Sequence, residues 1–321
     1  MSISLGLSYT NLAMINKKEW PMVSIIVPVY NDSKGIKRCL ESLISQSYPH
    51  ENYEVIVVDN NSNDNTKGTI KSFSKDGVIY AQENQRQSSY AARNRGISIS
   101  KGEVFGFTDS DSWVHKDWIS KAIHSLNENQ HDYVGCAVEN VATAPYTVLD
   151  KFDLITGFRN GSFLEKFHFV PTVGLFLKKS VINQIGPFDE RFISSGDYEF
   201  GKRVFNKGFS QGYSEDSIVY HPTRNSFKEF FKRNIRIGLG RAQLRTYYPK
   251  QFGSVLLTMI NPVYYLPMSF FSFKKFSRSN KSIKDVNQSI ISTYFLMYLM
   301  TLVRQLSYNY FIIKHLLKRE F

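Results

Sequence analysis

The chain has 321 residues, and its 42% hydrophobic and 21% charged residues exclude an intrinsically disordered protein and are typical of one large or two ordinary globular domains. The two cysteines are too few for a disulfide framework and lack metal-ligand spacing, which fits a reducing compartment. The formal net charge of +12 indicates an anionic partner: nucleic acid, a lipid surface or a phosphorylated substrate.

The first half of the chain alternates short apolar runs with polar stretches of helical length. The runs predict strands at residues 22–30, 53–59, 77–81 and 104–109, and the stretches between them predict helices at 34–47, 64–75, 88–100 and 116–128. Because the runs are almost continuously apolar, both faces of the sheet should be covered. This pattern predicts an α/β domain with a mostly parallel sheet, in which ligands bind beyond the carboxyl ends of the strands.

The second half of the chain is less regular. Residues 145–170 predict an aromatic loop, and "TVGLFLKKSV" (172–181) predicts a strand that runs into a short helix. "SSGDYEFGKRVFNKG" (194–208) predicts a helix closed by Gly208, and "SIVYH" (217–221) predicts a last strand. Residues 226–250 predict a basic amphipathic helix, with aromatic side chains at helical spacing and Lys and Arg on the facing positions.

The loop after the first predicted strand, "PVYNDSKG", has neither the GxGxxG nor the GxxxxGK[ST] pattern, which argues against an NAD enzyme or a P-loop ATPase. A nucleotide bound here must be held by side chains and a metal ion. Asp59, at the end of the second predicted strand, could accept hydrogen bonds from a ribose hydroxyl or a base N–H, or could merely form a turn with its Asn neighbours. Arg93 and Arg95 could contact a base or a diphosphate, although solvated helix arginines are commoner.

Two carboxylates, Asp109 and Asp111, follow the fourth predicted strand in "GFTDSDSW". In an extended segment residues i and i+2 point to the same side, so the two side chains should converge. They either lie in water as a simple turn or hold a cation, because like charges that converge need compensation. Mg²⁺ and Mn²⁺ prefer oxygen ligands and are usually shared between one or two carboxylates and the phosphates of a substrate.

Taken in order, seven segments resemble glycosyltransferase family 2, the inverting enzymes of GT-A fold that use nucleotide-sugar donors. The resemblance covers about residues 22–245 and is carried by "VSIIVPVYND", "VIVVDNNSND", "AARNRGI", "GFTDSDSWVHKDW", "IGPFDERF", "SGDYEFGKRV" and "YHPTR". The expected fold is therefore a Rossmann-like GT-A domain. One departure is that Thr172-Val173-Gly174 lacks the side-chain amide usual at that place, which leaves the identity of the donor sugar open.

The resemblance also implies the roles of individual residues. It implies nucleotide contacts by Pro28, Tyr30, Asp59, Arg93 and Asp109, Mn²⁺ or Mg²⁺ ligands at Asp109, Asp111 and His221, and catalytic acids at Asp197 and Glu199, with Asp197 as general base. The helix dipole should favour the ionised form of Asp197. The alternatives are that Asp197 merely caps its helix together with Ser194, and that His221 is a packed histidine at a strand end.

Two apolar stretches, 252–273 and 286–303, follow the catalytic segments and are flanked by basic residues. If both crossed a bilayer, the basic segment between them, with Lys281 and Lys284, would lie outside, against the positive-inside rule. We therefore expect in-plane or re-entrant helices on an anionic inner leaflet. A spanning hairpin, a cover for the catalytic domain and a dimer contact are the alternatives.

These observations predict four regions: an N-terminal extension (1–21), a catalytic domain (22–225, with a nucleotide half 22–112 and an acceptor half 113–225), the basic helix (226–250) and a membrane-associated helical region (251–321). The predicted activity is inverting, divalent-metal-dependent transfer of a sugar from a nucleotide-diphospho-sugar to a hydroxyl of a lipid-linked or cell-surface glycan, at the cytoplasmic face of the cell membrane. A nucleotidyltransferase and an inactive membrane-bound adaptor are the alternatives. Nucleic acid is not expected as a partner, because the basic residues adjoin apolar segments.

Overall fold

The computed structural model describes residues 20–278 and 289–317. Most of the predicted extension (1–21) lies outside these ranges. So do residues 279–288, with Lys281 and Lys284 and the first residues of the second apolar stretch, and the last four residues, 318–321. The predictions made for those residues stay predictions.

A single eight-stranded sheet, of order β3-β2-β1-β4-β7-β6-β8-β5, forms the centre of the described chain. Its strands are β1 (Val23–Val29), β2 (Tyr53–Asp59), β3 (Val78–Gln82), β4 (Val104–Phe107), β5 (Trp113–Val114), β6 (Tyr133–Val141), β7 (Leu175–Lys178) and β8 (Gln211–Pro222). The four strands predicted from the first half are β1 to β4, and they pair in parallel. Every residue of β1 and β2 is buried, as expected for a sheet with both faces covered.

The sheet is mixed, which corrects the prediction of a mostly parallel one. β7 is antiparallel to both β4 and β6, and the short β5 is antiparallel to the end of β8. Only β6 and β8 restore a parallel pair on that side. The predicted alternation of strands and helices stops after β4, so the sequence held no pattern that distinguished the direction of the later strands.

Helices cover both faces of the sheet and form the C-terminal part of the described chain. They are α1 (Ser33–Leu43), α2 (Thr66–Ser72), α3 (Ser89–Ile99), α4 (Trp118–Glu128), α5 (Val148–Thr156), α6 (Asn160–Phe167), α7 (Lys179–Ile185), α8 (Gly196–Asn206), α9 (Phe227–Tyr247), α10 (Pro249–Phe252), α11 (Val255–Ile260), α12 (Phe270–Arg278) and α13 (Ile290–Leu317). Gly208 follows the end of α8 with a φ of 89°, as predicted for a residue that closes a helix.

The predicted loop at 145–170 is wrong, because α5 and α6 lie within it. A capping box begins α5: the Thr147 hydroxyl accepts a hydrogen bond from the Asp150 N–H, and the Asp150 carboxylate accepts one from the Thr147 N–H. Later in α5, the fully buried Asp153 accepts hydrogen bonds from Arg224 and from Arg233 of α9. Of the aromatic residues on these two helices, Phe152 of α5 is buried and Phe163 of α6 is half-buried, whereas Phe167 of α6 is exposed.

The first apolar stretch, 252–273, is not one helix. It is divided into the end of α10, the short α11, a 3₁₀ turn (Pro262–Tyr265) and the start of α12. Among the described residues, no helix combines the length and the apolar character needed to cross a membrane.

The long helices α9 and α13 pack against each other through Gly238. A Cβ at this position would collide with the backbone oxygen of Arg304 and the Cβ of Ser307, so the close approach of the two helices requires glycine. On a neighbouring part of α9, a Cβ at Gly240 would collide with the backbone of Ser194, just before α8. These two glycines therefore let α9 contact both α13 and the segment that begins α8.

Candidate active site

A cavity of about 1150 Å³ opens where β1 and β4 end and extends between α8, α9 and α13. It gathers residues that are far apart in the sequence, as expected at the carboxyl ends of parallel strands. Seven of the nine predicted site residues line it: Pro28, Tyr30, Arg93, Asp109, Asp111, Asp197 and His221.

Asp109 is bound by Arg93. One terminal nitrogen of the Arg93 guanidinium lies 2.6 Å from Oδ1 of Asp109, and the Arg93 side chain is only 4% exposed whereas that of Asp109 is 36% exposed. A buried guanidinium needs such a partner, and its Nε has none among the described residues. Because its charge is already paired with Arg93, Asp109 is the weaker of the two candidates for a cation ligand.

Asp111 faces His221 across 3.4 Å, measured from Oδ2 to Nε2. The other ring nitrogen of His221, Nδ1, lies 2.7 Å from the carbonyl oxygen of Pro222, which can only accept, so Nδ1 carries the proton. Although burial raises the pKa of the Asp111 carboxyl, the hydrogen bond and charge of His221 and the charge of Arg224 lower it to about 2. Asp111 is therefore ionised over the whole physiological range.

The Asp111–His221 pair fits a divalent cation. If His221 is neutral, the lone pair of Nε2 faces the carboxylate of Asp111, and a terminal nitrogen of Arg224 lies 3.5 Å from the same Nε2. A divalent cation bound by these two acceptors would take the place of this arginine contact. The Asp111 side chain is 46% exposed to the cavity, so further ligands can reach the same point. No group of three or more His, Cys, Asp or Glu side chains suited to a metal occurs in the described part of the chain. Such a cation would therefore take its remaining ligands from water or from a bound phosphate.

Asp197 lies at the start of α8, at the wall of the cavity. Burial raises the pKa of its carboxyl to about 6, and the negative charge of Asp109 adds to this effect while Arg93 opposes it. Burial thus outweighs the helix dipole, which was expected to favour the ionised form. At neutral pH the carboxylate is still largely ionised, and it is a stronger base than an ordinary aspartate.

The capping alternative for Asp197 is not what the structure shows. The N-cap of α8 is Ser195, which has a φ of 66° and makes no side-chain cap. Oδ1 of Asp197 accepts one hydrogen bond, from the N–H of Tyr198 at 2.9 Å. The segment is held instead by the buried Tyr90 hydroxyl, which accepts from the N–H groups of Gly196 and Asp197. Within the described residues, Oδ2 of Asp197 has no hydrogen-bond donor, so it is available to a substrate.

Asp59 does not line the cavity and is only 1% exposed. Its Oδ1 accepts from the N–H of Ser62 at 2.9 Å, and its Oδ2 accepts from the Tyr80 hydroxyl at 3.2 Å. Both oxygens of this carboxylate thus accept from protein groups, and the predicted nucleotide contact stays a prediction. The turn that it forms with the residues after β2 matches the alternative left open by the sequence.

Glu199 also does not line the cavity, and its predicted role as a second catalytic acid is not supported by its position. Its side chain is 1% exposed, and both carboxylate oxygens accept hydrogen bonds from Arg203, at 2.9 Å and 3.0 Å. Arg203 also donates to the carbonyl oxygens of Ile185, Gly186 and Pro187. The Glu199–Arg203 pair thus fixes the segment after α7 and has no free oxygen for chemistry.

Replacing Glu199 by Gln should lower the free energy of unfolding by about 2 kcal/mol, since a buried charge pair is broken while Arg203 stays partly solvated. The value of kcat should change less than about twofold. The matched control is Glu128→Gln, whose side chain is 66% exposed on α4 and should leave stability unchanged. Denaturant unfolding and steady-state kinetics test both statements. A large loss of kcat at unchanged stability would show that Glu199 takes part in catalysis.

The sequence predicts a basic helix at 226–250 without placing its arginines at the site, but in the structure they form much of the cavity wall. Arginines at 224, 233, 236, 241 and 245 line it from α9 and the segment before it, and Arg304 lines it from α13. Those of α9 recur at helical spacing on one face, a signal that the sequence contained but that was assigned to a lipid surface. The lysines of the same helix, Lys228 and Lys232, are exposed and outside the cavity.

Comparison with known proteins assigns the family. The sequence profile of "Glycosyl transferase family 2" matches residues 24–186, just over half of the chain, and that of "Glycosyl transferase family group 2" matches residues 106–313. Glycosyltransferase AglE of Haloferax volcanii is 37% identical over 226 residues, which cover 70% of this chain and 74% of AglE.

A second relative, from Methanococcus voltae, is the dolichyl N-acetyl-alpha-D-glucosaminyl phosphate 3-beta-D-2,3-diacetamido-2,3-dideoxy-beta-D-glucuronosyltransferase. It is 27% identical over 234 residues, which cover 68% of this chain and 72% of that protein.

Solved structures show the same fold. The mannosyltransferase PcManGT from Pyrobaculum calidifontis, in complex with GDP-Man and Mn²⁺, is similar with a TM-score of 0.62 at 16% identity, covering 93% of this chain and 88% of that one. Residues 1–349 of S. aureus TarS, in complex with UDP-GlcNAc, are similar with a TM-score of 0.53 at 18% identity, covering 90% of this chain and 91% of that one. The family match therefore argues against both alternatives, a nucleotidyltransferase and an inactive adaptor. The chain belongs to glycosyl transferase family 2 and is a glycosyltransferase of GT-A fold.

Proposed function

We propose that the chain is an inverting, divalent-metal-dependent glycosyltransferase that moves a sugar from a nucleotide-diphospho-sugar to a hydroxyl group of a lipid-linked or cell-surface glycan. One observation carries the proposal. The Asp111–His221 pair and the carboxyl of Asp197, whose pKa is raised to about 6, line the same cavity. A cation site and a base of suitable strength, both open to one substrate-sized space, are the two groups that this reaction needs.

The donor would lie over the ends of β1 and β4, where Pro28 and Tyr30 line the cavity and Tyr30 is 48% exposed. An exposed ring at this point offers a surface for a base or a ribose. Mn²⁺ or Mg²⁺ held by Asp111 and His221 would neutralise the charge that develops on the departing nucleotide diphosphate. The relatives support this donor class, since the neighbouring structures contain GDP-Man with Mn²⁺ and UDP-GlcNAc.

The acceptor hydroxyl would be activated by Asp197. Its unbonded Oδ2 removes the proton as the oxygen attacks the anomeric carbon from the face opposite the diphosphate, which inverts the configuration. Tyr90 keeps this carboxylate in place by accepting the two N–H groups at the start of α8. The sugar therefore passes directly from donor to acceptor, without a covalent bond to the protein.

Thermal denaturation tests the donor site. We expect UDP, GDP or dTDP, or one of their sugars, to stabilise the purified chain by a few kcal/mol at concentrations far above the dissociation constant, and only with Mn²⁺ or Mg²⁺ present. The nucleotide that succeeds identifies the donor base. The proposal fails if no nucleotide shifts the unfolding temperature with either cation.

The C-terminal helices support a membrane-bound location on an anionic cytoplasmic leaflet. Large apolar side chains are exposed along α11, the 3₁₀ turn, α12 and α13: Leu256, Leu257, Ile260, Val263, Leu266, Phe271, Ile291 and Phe295, each at least 61% exposed. Two polar side chains of the same region bond within the protein: Gln305 donates to the Thr258 carbonyl and Tyr265 donates to the Met259 carbonyl. Exposed lysines, among them Lys274 and Lys275, lie beside these residues. This is the division of side chains expected of helices that lie in a membrane surface.

Replacing Ile260 by Ser should weaken binding to vesicles about tenfold, because a side chain that is 74% exposed would lose its transfer into lipid. The matched control is Ile79→Ser, an exposed isoleucine of β3 outside these helices, which should have no effect. Flotation with phosphatidylcholine vesicles, with and without phosphatidylglycerol, measures the binding. Equal losses in the two variants, or no preference for the anionic vesicles, would contradict this location.

A further inference from the structure

Four arginines of the cavity wall have no carboxylate partner among the described residues. They are Arg236, Arg241 and Arg245 of α9 and Arg304 of α13, and together we call them the arginine cluster. The neighbouring Arg224 and Arg233 differ, because both bind the buried Asp153. Within the described part of the chain, the side chain of Arg304 bonds only to Met300 and Thr301 of its own helix. One end of the cavity therefore holds an excess of positive charge.

The positive charges of these arginines repel one another. Burial, followed by the charges of Arg241 and Arg233, lowers the pKa of Arg304 to about 9, and burial and the charge of Arg245 lower the pKa of Arg241. Arg304 and Arg241 nevertheless remain charged at neutral pH. Like charges gathered in a recess with no internal counter-ion are unfavourable unless an anion binds there, and guanidinium groups bind phosphate oxygens in pairs.

The arginine cluster is open to a ligand. Arg236 and Arg241 are exposed, Arg245 and Arg304 are half-buried, and all four line the cavity. Each of them is therefore accessible to a ligand in the cavity. The cavity also continues beyond them along an apolar rim that includes Val263, Tyr264, Leu266 and Met268. The guanidinium of Arg245 lies 6.0 Å from the ring centre of Tyr264, which joins the charged part of the wall to the apolar part.

A ligand that fits both parts has an anionic group next to a hydrocarbon chain. A nucleotide-sugar has the anion but no such chain, and a free glycan has neither. The rim leads directly to the exposed apolar side chains of α11 and α12, among them Ile260 and Phe271. At the other side of the arginine cluster, Arg241 and Arg245 lower the pKa of Tyr198, the neighbour of Asp197, against the larger effect of burial, so the bound anion would lie within electrostatic reach of the base.

We propose that the arginine cluster binds the phosphate of an acceptor whose sugar is linked through that phosphate to a lipid chain, with the chain leaving over the rim formed by Val263, Tyr264, Leu266 and Met268. This assignment rests on the proposed glycosyltransfer and narrows its acceptor to a lipid phosphate. The phosphate holds the acceptor in register, so that a hydroxyl of its sugar faces Asp197. Donor and acceptor anions then use separate groups, the donor at Asp111 and the acceptor at the arginine cluster.

The test is binding of farnesyl phosphate, below its micellar concentration, to the purified full chain by isothermal titration calorimetry. Farnesol, inorganic phosphate and the stabilising nucleotide with Mn²⁺ are measured beside it. The variant is Arg241→Gln with Arg304→Gln, and the control is Lys232→Gln, an exposed cation of α9 outside the cavity.

We expect the double variant to weaken farnesyl phosphate binding by about tenfold or more, because charge-assisted hydrogen bonds are lost. Nucleotide binding and the Lys232→Gln control should change less than twofold, and the melting temperature without ligand should stay the same or rise because repulsion is removed. Farnesol and inorganic phosphate should each bind more weakly than farnesyl phosphate.

Three results would overturn the proposal: unchanged farnesyl phosphate binding in the double variant, loss of nucleotide binding instead, or inorganic phosphate binding as tightly as farnesyl phosphate. Loss of nucleotide binding would mean that the arginine cluster binds the donor. Equally tight binding of inorganic phosphate would mean that the lipid chain contributes nothing to binding. Failure of the proposed function itself would be seen separately, as no nucleotide binding by the wild-type chain in the same titrations.

Discussion

Replacing Asp197 by Asn should lower kcat by about 10²- to 10⁴-fold, the range observed when a general base is lost. Asn keeps the size of the side chain and an oxygen that can accept the Tyr198 N–H, so the start of α8 should keep its geometry. It cannot remove a proton from the acceptor hydroxyl. Steady-state kinetics with saturating donor measure the loss, and Asp216→Asn, which removes an exposed carboxylate of β8, is the matched control.

The pH dependence adds a second measurement for the same residue. Because burial raises the pKa of the Asp197 carboxyl to about 6, kcat/KM of the wild type should fall tenfold per pH unit below about 6, as the base becomes protonated. The residual activity of Asp197→Asn should lack this limb.

Stability provides the control for folding. The folded protein binds the Asp197 proton more tightly than the unfolded chain does, so the ionised carboxylate lowers stability as the pH rises from about 4 to above 6. The Asn variant should therefore be at least as stable as the wild type at pH 8. If kcat/KM of Asp197→Asn still falls at low pH as it does in the wild type, the general base is another residue.

Replacing Asp111 by Asn should lower kcat/KM by about 10²- to 10³-fold, because several kcal/mol of charge stabilisation on the leaving diphosphate would be lost. The same variant should lose the part of nucleotide stabilisation that needs Mn²⁺, a readout that does not depend on turnover. The matched control is Asp117→Asn, which removes a carboxylate before α4, where it accepts from Ser47, outside the cavity.

Two outcomes would contradict the cation site. If the wild type binds nucleotide equally well with and without a divalent cation, Asp111 and a protonated His221 form an ordinary ion pair. If Asp111→Asn keeps its Mn²⁺ dependence while Asp109→Asn loses it, the ligand is Asp109, and the pair with Arg93 must open when the donor binds.

The parallel half of the fold could be predicted from the sequence, because each of its strands is a short apolar run that ends in a polar turn. β1 to β4 match the predicted segments within about two residues, a margin typical of assigned boundaries. The later strands could not be predicted as well. β6 mixes buried and exposed residues, β5 has two residues, and whether β7 runs parallel or antiparallel depends on its neighbours in space.

The candidate site also has a part that the sequence could predict and a part that it could not. The sequence marks Asp109 and Asp111 as candidates through their spacing after a strand, and the family resemblance adds Asp197 and His221. The sequence could not show that Arg93 neutralises Asp109, or that Arg203 occupies both oxygens of Glu199. Ion pairs of this kind decide which carboxylate is free, and they depend on residues brought together only by folding.

The basic C-terminal region shows the limit most clearly. Its composition, an alternation of apolar and cationic residues, is visible in the sequence and indicates an anionic, partly apolar partner. Which of these charges face a ligand depends on how the helices pack. Gly238 lets α9 and α13 approach so closely that the arginines at 236, 241, 245 and 304 line the cavity, while the lysines of α9 stay on the outside. Helical spacing defines a face, but the packing of one helix on another determines what that face contacts.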